Sequence, residues 1–261
     1  MAREQKIPIL MYHSVSDSGD CGGLPPAFRP VGYRIGVSAF RGHLEALRRG
    51  GWSTILLRDL AAAREGRGDL PGRPVILTFD DGYADNLASA LPLLREGGFR
   101  AVFFLSVSAL ESPGMLTWSG AAALGEAGME IGSHGMGHDL LSGRDENDLR
   151  RELEESRRTI GERLGCPVEH FSLPRGYLPP VLPRLARAAG YRGLCTSRPG
   201  FNTLRTDPFR LRRYPVRTGF SGEEVDSLLS GRGWRFRKIH LAETVRDRLR
   251  VRHGRPGGAA R

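Results

Sequence analysis

The sequence predicts an α/β fold in which parallel strands and helices form one closed or nearly closed barrel. Short apolar stretches alternate with amphipathic ones, and seven or eight such units occupy about 230 residues, a length that suits a (β/α) barrel. The chain has 261 residues, enough to bury a substantial core without disulfides. Its apolar fraction of 39% and charged fraction of 26% are typical of a soluble globular protein.

Runs of apolar and β-branched residues predict the strands. The clearest run covers 75–79, which reads as a fully buried strand and ends on two carboxylates and Gly82. Predicted strands cover 6–12, 53–56, 75–79, 101–105, 129–133, 170–173, 192–196 and 209–216.

Apolar residues at helical spacing, with capping residues at the ends, predict the helices. In the first helix Phe40, Leu44 and Leu47 share one face, Ser38 is the expected N-cap and Gly50 follows the end. Predicted helices cover 39–49, 58–65, 84–96, 117–127, 146–164 and 180–189. The segment 14–37 is rich in Gly, Pro, Ser and Asp, and we expect a long loop that could cover a site.

Most of the net charge of +10 belongs to the C-terminal tail. Residues 232–261 carry ten Lys or Arg against two acidic residues, so we divide the chain into a barrel at 1–231 and a basic tail at 232–261. Within the tail, Leu241, Val245 and Leu249 form one stripe of a predicted helix at 239–251. Such a helix can lie on an anionic membrane or dock on the barrel, and both alternatives stay open. The barrel shows no basic patch interleaved with aromatic residues, so nucleic acid is not an expected partner.

Cysteine usage and the start of the chain indicate a cytoplasmic protein. Cys21, Cys166 and Cys195 are widely spaced and odd in number, which favours reduced thiols over a disulfide framework. The first residues contain no apolar stretch of signal-peptide length, and no segment is apolar for the length of a membrane span.

Polar residues follow several predicted strands directly. His13 follows the first strand, Asp80 and Asp81 follow the strand at 75–79, and His134 follows the strand at 129–133. In parallel barrels the catalytic residues lie at the carboxyl ends of the strands, so these side chains are candidates for one site. The opposing interpretation is that Asp-Asp-Gly is only a turn and that the histidines belong to the core.

His134 and His138 are four residues apart, with glycines at 135 and 137 that favour a loop over a helix. With Asp81 as a third ligand they form a set of two imidazoles and one carboxylate, which leaves coordination positions open for water and substrate. The pattern predicts a catalytic divalent ion, zinc or a similar metal. Because side chains alternate along a strand, Asp80 points elsewhere and remains available as a proton acceptor.

Three separated motifs then resemble the polysaccharide deacetylase family, carbohydrate esterase family four. They are Thr78-Phe-Asp-Asp-Gly82, Ser133-His-x-x-x-His138 and Phe171-x-x-Pro-x-Gly176. The resemblance implies a distorted (β/α) barrel of about seven parallel strands in a single domain. It also implies removal of N-acetyl, and sometimes O-acetyl, groups from sugars such as N-acetylglucosamine.

The same resemblance implies roles for individual residues. Asp80 matches the general base, and Asp81, His134 and His138 match the metal ligands. The backbone N–H at Arg175, just after Pro174, matches the donor that stabilises the oxyanion.

Two positions depart from the commonest family pattern. The general acid is usually a histidine after the last strand, where the nearest match is His240 in the basic tail. His13 closes the first strand and resembles the permuted branch typified by poly-N-acetylglucosamine deacetylases; we favour His13 over His240 because first and last strands are neighbours in a closed barrel. Many members also have an arginine two residues before the proline of the third motif, where this chain has Ser172. Arg213 could replace it as the partner that keeps Asp80 ionised.

The sequence predicts a metal-dependent sugar N-deacetylase with a carbohydrate substrate. Two alternatives remain at this stage: a hydrolase of cyclic amides on the same barrel, and a catalytically silent carbohydrate-binding relative.

Overall fold

The computed structural model describes residues 4–18, 23–29, 32–176, 178–232 and residue 236. Within these ranges the chain forms ten strands: β1 Ile9–Tyr12, β2 Ser14–Val15, β3 Arg34–Ile35, β4 Ser53–Thr54, β5 Pro74–Phe79, β6 Val102–Leu105, β7 Glu130–Ser133, β8 His170–Ser172, β9 Gly193–Cys195 and β10 Tyr214–Pro215. The α-helices of the same ranges are α1 Val37–Arg49, α2 Leu57–Arg64, α3 Leu91–Gly97, α4 Trp118–Glu126, α5 Glu146–Leu164, α6 Leu182–Ala188 and α7 Gly222–Ser230.

Seven of the strands form one curled parallel sheet in the order β10-β1-β5-β6-β7-β8-β9, and β4 pairs with the beginning of β5. The two edges of this sheet meet through the chain that leads into β10. Leu211 pairs with Cys195 of β9, and its N–H donates to the Leu194 carbonyl at 2.9 Å. Five residues later the Val216 N–H donates to the Met11 carbonyl of β1, also at 2.9 Å. The predicted distorted (β/α) barrel of about seven parallel strands is confirmed.

Most predicted elements lie where the sequence places them, with shifts at their ends. Thr117 caps α4, because its hydroxyl accepts from the Gly120 N–H at 3.0 Å. The prediction that Ser38 caps α1 was wrong: Gly36 occupies the N-cap position and the helix begins at Val37. The predicted helix at 84–96 begins as a π-helical turn, Asn86–Ala90, before α3.

Helix α7 has no counterpart among the predicted elements, although its start carries a recognisable signal. Ser221 accepts from the Glu224 N–H, and the Glu224 carboxylate accepts from the Ser221 N–H at 2.7 Å. This reciprocal pair is a capping box, and the spacing Ser-x-x-Glu indicates it in the sequence.

The segment expected to be a loop over the site is partly ordered into β2, β3 and a 3₁₀ turn, Pro26–Phe28. Phe28 is buried against Tyr83, Ala109 and Met115 in a small cluster separate from the main core. The Tyr83 hydroxyl also donates to the Phe28 carbonyl at 2.7 Å. The 3₁₀ turn is therefore anchored close to the end of β5.

Several predictions concern other parts of the chain. His240 and the helix expected at 239–251 lie outside the described residues. Cys166 and Cys195 are free thiols. Among the described helices none is both long and apolar enough to cross a membrane.

Candidate metal centre and its carboxylate neighbour

The chain turns sharply at the carboxyl end of β5, and this turn separates the two adjacent carboxylates. Asp81 has a φ of 77° and Gly82 a φ of 87°, both in the left-handed region. A side chain at Gly82 would be strained in that conformation, and its Cβ would stand 3.2 Å from Leu105. Asp80 and Asp81 are both almost fully buried, at 2% and 3% exposure, but they contact different partners.

Asp81 converges with two imidazoles. Its Oδ1 lies 3.3 Å from Nε2 of His134 and 3.5 Å from Nε2 of His138. One ligand atom from each of the three residues fits within 4.8 Å of the others. A tetrahedral zinc ion with bonds of about 2.1 Å separates its ligands by about 3.4 Å, so these residues fit a divalent metal.

The surrounding hydrogen bonds leave the ligand atoms unused. Nδ1 of His134 lies 2.9 Å from the Ser172 carbonyl, which can only accept, so Nδ1 carries a proton and, in the neutral imidazole, Nε2 keeps the free lone pair. The Tyr83 hydroxyl lies 3.0 Å from Asp81 Oδ2 and shares its single proton between this oxygen and the Phe28 carbonyl, whereas the buried Oδ1 has no hydrogen-bond partner among the described residues. A buried carboxylate oxygen without a donor is costly, and a cation removes that cost.

Electrostatics favour an ionised Asp81. Burial alone would raise the pKa of this carboxyl, but the imidazole of His134, together with His13 and His138, holds the pKa well below its usual range. The carboxylate is thus available as a ligand across the physiological pH range.

The loop that carries the two histidines is fastened by a residue that sequence reasoning missed. Oε1 of Glu152, from α5, accepts from the N–H groups of Met136 at 2.6 Å and Gly137 at 3.1 Å. The backbone approaches so closely that a Cβ at Gly135, where φ is 91°, would stand 2.5 Å from this oxygen. The sequence contains a sign of this role. Glu152 lies on the buried apolar face of α5, with Leu149, Leu153 and Ile160, where a charged side chain indicates a specific polar partner.

Asp80 forms its ion pair with Arg213 and not with an imidazole. Nη1 of Arg213 donates to Asp80 Oδ1 at 2.7 Å and Nη2 donates to Oδ2 at 2.8 Å. The remaining N–H groups of this fully buried guanidinium reach the Thr196 carbonyl, Thr78 Oγ1 and Ser172 Oγ at 2.9, 3.1 and 2.8 Å. All five guanidinium donors therefore have acceptors, which is what a buried arginine requires.

Ser172 completes this network at the position where the family pattern often has arginine. Its hydroxyl accepts from Arg213 and donates to Asp80 Oδ2 at 3.1 Å. Burial would raise the pKa of Asp80, but the charge and hydrogen bonds of Arg213 outweigh it, so the pKa is lowered. Arg213, the residue directly before β10, therefore contacts the carboxylate that the sequence suggested as its partner.

A cavity of about 410 Å³ opens above these groups at the carboxyl ends of the strands. Six of the seven predicted site residues line it, and Arg213 lies behind Asp80. Its lining consists of Met11, His13, Ala27, Arg29, Tyr33, Asp80, Asp81, Tyr83, His134, His138, Leu173, Arg175, Gly176, Ser197, Arg198, Pro215 and Arg217.

His13 enters this cavity from the end of β1. Its Nδ1 is buried without a hydrogen-bond partner in the described ranges, and its ring lies 4.6 Å from the ring of Tyr33. Burial lowers the pKa of His13 in spite of the opposing effect of Asp81 and Asp80. An imidazole with an unused nitrogen beside two carboxylates can exchange protons with a ligand in the cavity.

Arg175 lies in a short 3₁₀ turn after β8 with φ 57° and ψ 5°, a left-handed conformation that is uncommon for a residue with a side chain. The next residue is also in the left-handed region, and a Cβ at Gly176 would stand 2.4 Å from Ser197 Oγ. Pro174 restricts the turn from the other side. The backbone is therefore held in one strained conformation at the rim of the cavity.

The model of the polysaccharide deacetylase family matches residues 67–194. This match agrees with the family that the three motifs resemble, and the chain is an enzyme of the deacetylase class that acts on carbohydrate.

Individual relatives extend the comparison over most of the barrel. The polysaccharide deacetylase candidate YxkH of Bacillus subtilis (strain 168) is 26% identical over 217 residues, which cover 83% of this chain and 74% of YxkH. The Streptococcus pyogenes deacetylase PplD, solved in complex with acetate, superposes with a TM-score of 0.77 at 19% identity and covers 87% of this chain and 99% of PplD. A de-N-acetylase from Aggregatibacter actinomycetemcomitans has a TM-score of 0.73 at 20% identity, covering 86% of this chain and all (100%) of that one.

Proposed function

We propose that this chain is a metal-dependent N-deacetylase that removes the acetyl group of an N-acetylated amino sugar of the N-acetylglucosamine type. The observation that carries the proposal is the separation of roles between two adjacent carboxylates. Asp81 converges with His134 and His138, while Asp80 is held by Arg213 outside that set. A site of this kind combines a cation with a neighbouring base.

The donor set of Asp81, His134 and His138 suits zinc or a similar divalent ion. Such an ion would supply Lewis-acid chemistry: it polarises a carbonyl oxygen and makes a water molecule easier to deprotonate. An amide needs this help because it is a poor electrophile with a poor leaving group.

Asp80 is suited to act as the general base. Its Oδ2 accepts two hydrogen bonds, from Arg213 and Ser172, whereas its Oδ1 accepts one, from Arg213, among the contacts of the described residues. A carboxylate oxygen offers about two acceptor positions. Oδ1 therefore keeps one lone pair for the proton of the attacking water, while Arg213 keeps the group ionised until then.

His13 is suited to protonate the amine that leaves. It shares the cavity with Asp80, and its Nδ1 is not used by the protein in the described ranges. The backbone N–H at Arg175, in the restrained turn at the rim, is the proposed donor to the developing oxyanion. The first-strand position of His13 agrees with the permuted branch of the family, and two relatives named for deacetylase or de-N-acetylase activity share this fold.

Acetate release from N-acetylated sugars tests the proposal, combined with elemental analysis of the bound metal. We expect release that stops when a chelator removes the metal, and we expect Asp80→Asn to lower kcat by about 10²- to 10⁴-fold. The metal content of Asp80→Asn should stay at the wild-type value because Asp80 is not a ligand. Bound metal without acetate from any N-acetylated sugar would instead favour the cyclic-amide alternative.

A further inference from the structure

The cavity has a second chemical feature besides the metal set: arginines line the opposite side. Arg175, Arg198 and Arg217 follow the ends of β8, β9 and β10 by three, three and two residues. These strands are consecutive around the barrel, since Leu211 links the chain before β10 to β9. Arg29, beside the 3₁₀ turn of the covering segment, also lines the cavity.

The acidic residues that line the cavity do not balance the charges of Arg29, Arg175 and Arg217. The acidic residues of the lining are Asp80 and Asp81; the first is paired with Arg213 and the second faces two imidazoles. Across the described ranges, no carboxylate forms an ion pair with Arg29, Arg175 or Arg217. Arginines on the outer surface often do pair, as Arg41 does with Glu96 and Arg100 with Asp59, each at 2.8 Å.

One of these arginines is also held in place. The guanidinium of Arg217 lies 4.9 Å above the ring of Tyr33, whose ring in turn contacts His13. Stacking on an aromatic face fixes the plane of a guanidinium and leaves its N–H edge free to bind an anion. Arg217 is therefore oriented next to the proposed proton donor before any ligand enters.

The arrangement gives a bound sugar two distinct ends. The acetamide must face Asp80 and the metal ligands after β5 and β7, so the rest of the sugar extends toward the ends of β8, β9 and β10. A single carboxylate has two oxygens, which one arginine can occupy in a bidentate pair, whereas a phosphate presents three oxygens that several arginines can share. A positively charged cavity wall also raises the local concentration of an anionic substrate.

Building on the proposed function, we propose that the substrate is an N-acetylated amino sugar that carries a phosphate group, and that Arg175, Arg198 and Arg217 bind this phosphate. A monoester at the sugar and the diester of a nucleotide- or lipid-linked sugar present the same group to the arginines. A neutral N-acetylated glycoside would contact Asp80 and the proposed metal ligands through its acetamide but would offer no phosphate to the arginines.

Calorimetric binding to the full chain as purified tests the inference independently of turnover. The probes are N-acetylglucosamine 1-phosphate, the diester UDP-N-acetylglucosamine and the neutral methyl glycoside of N-acetylglucosamine. We expect a phosphate probe to bind at least about tenfold more tightly than the neutral glycoside, because hydrogen bonds to charged groups are worth more than neutral ones. Raising the salt concentration should reduce this difference. Binding of the monoester alone would identify a free sugar phosphate, and binding of the diester as well would identify a linked one.

Arg217→Gln removes one guanidinium without shortening the side chain greatly. It should lower the ratio of phosphate-probe affinity to neutral-glycoside affinity by about tenfold. The matched control is Arg41→Gln, the same charge change on the outer surface, which should leave the ratio unchanged. If Arg217→Gln leaves the ratio at the wild-type value, the phosphate is bound elsewhere, for example by the metal alone, and the inference is wrong.

Acetate release by the wild type from the same probes separates this inference from the proposed function. Release from the neutral glycoside as efficient as from both phosphate probes would overturn the phosphate inference and leave the deacetylase proposal intact. Phosphate binding that depends on Arg217, without acetate from any probe, would support the binding site and count against the deacetylase proposal. Equal binding of an N-acetylated sugar carrying a carboxylate would also overturn the assignment of phosphate.

Discussion

The two ends of the barrel each contain a buried histidine beside a carboxylate, and the two pairs differ in how their hydrogen bonds are used. At the amino end, His170 Nδ1 lies 2.7 Å from Glu130 Oε1, and Glu130 Oε2 accepts from the Arg58 N–H at 2.9 Å. Both carboxylate oxygens are occupied. At the carboxyl end, Asp81 Oδ1 faces two imidazoles at longer distances and has no hydrogen-bond partner among the described residues.

The comparison shows that burial and proximity alone do not distinguish a binding site from a structural pair. Both pairs are nearly inaccessible to solvent. What differs is the unused bonding capacity, since a satisfied pair stabilises the fold and an unsatisfied one requires a ligand.

The largest difference is expected from His134→Gln and His170→Gln, which make the same substitution at opposite ends. His134→Gln removes one of the three proposed metal ligands, so bound metal should fall at least about tenfold, with acetate release falling alongside it. His170→Gln should retain wild-type metal content. Elemental analysis of the two purified variants measures this. Equal metal loss in both would show that the carboxyl-end cluster is not the metal site.

Arg213→Ala tests the proposed general base, Asp80, beside that cluster. Asp80 is buried, and without Arg213 nothing offsets the desolvation of its carboxylate, so its pKa should rise. Because Asp80 must be ionised to accept a proton, the acid limb of the kcat/KM profile should move to higher pH.

The same variant should also be less stable by about 3–5 kcal/mol, since it leaves a buried charge unpaired. Arg100→Ala is the matched control, because its pair with Asp59 is partly exposed and such pairs contribute about 0–1 kcal/mol. An acid limb that stays in place in Arg213→Ala would mean that this arginine does not control Asp80.

Much of this architecture could be predicted from the sequence, for definite physical reasons. The strands are short apolar runs, the helix α5 has both ends marked, and polar residues after parallel strands must gather at one end of the barrel. That rule was enough to predict that four residues share one cavity: His13, Asp80, Asp81 and His134. Helix α7 was missed because its capping box was overlooked.

Features assembled from distant strands were harder to predict. Arg213 was considered only because the family pattern led us to expect an arginine where the chain has Ser172. Glu152 acts from another helix, and the arginines after β8, β9 and β10 share no local motif. Their common location depends on strand order, which the sequence does not state.

Glu152→Gln tests whether the histidine loop needs its support. A neutral amide oxygen is a weaker acceptor for the two backbone N–H groups that Glu152 now binds, so the loop should be less well fixed. We expect metal affinity to fall by about tenfold, measured by competition with a chelator. Glu154→Gln, at an exposed position on the same helix, should leave the affinity unchanged. An unchanged affinity in Glu152→Gln would show that the loop is fixed by other contacts.

Glu130→Gln makes the corresponding change at the amino end, where the effect should be on stability alone. Burial would raise the pKa of Glu130, but His170 and the Arg58 N–H outweigh it and lower the pKa. A carboxyl with a lower pKa in the folded state contributes stability above its unfolded pKa of about 4.3 and loses that contribution as the pH falls toward its folded pKa. At pH 7 the free energy of unfolding of the variant should therefore be about 1–3 kcal/mol lower than that of the wild type, and this difference should shrink below about pH 4.

Chemical denaturation at several pH values measures this difference in the free energy of unfolding. The metal content of Glu130→Gln should not change, because Glu130 lies at the end of the barrel away from the cavity and both of its oxygens already have partners. Metal loss in this variant would contradict the division of roles between the two ends.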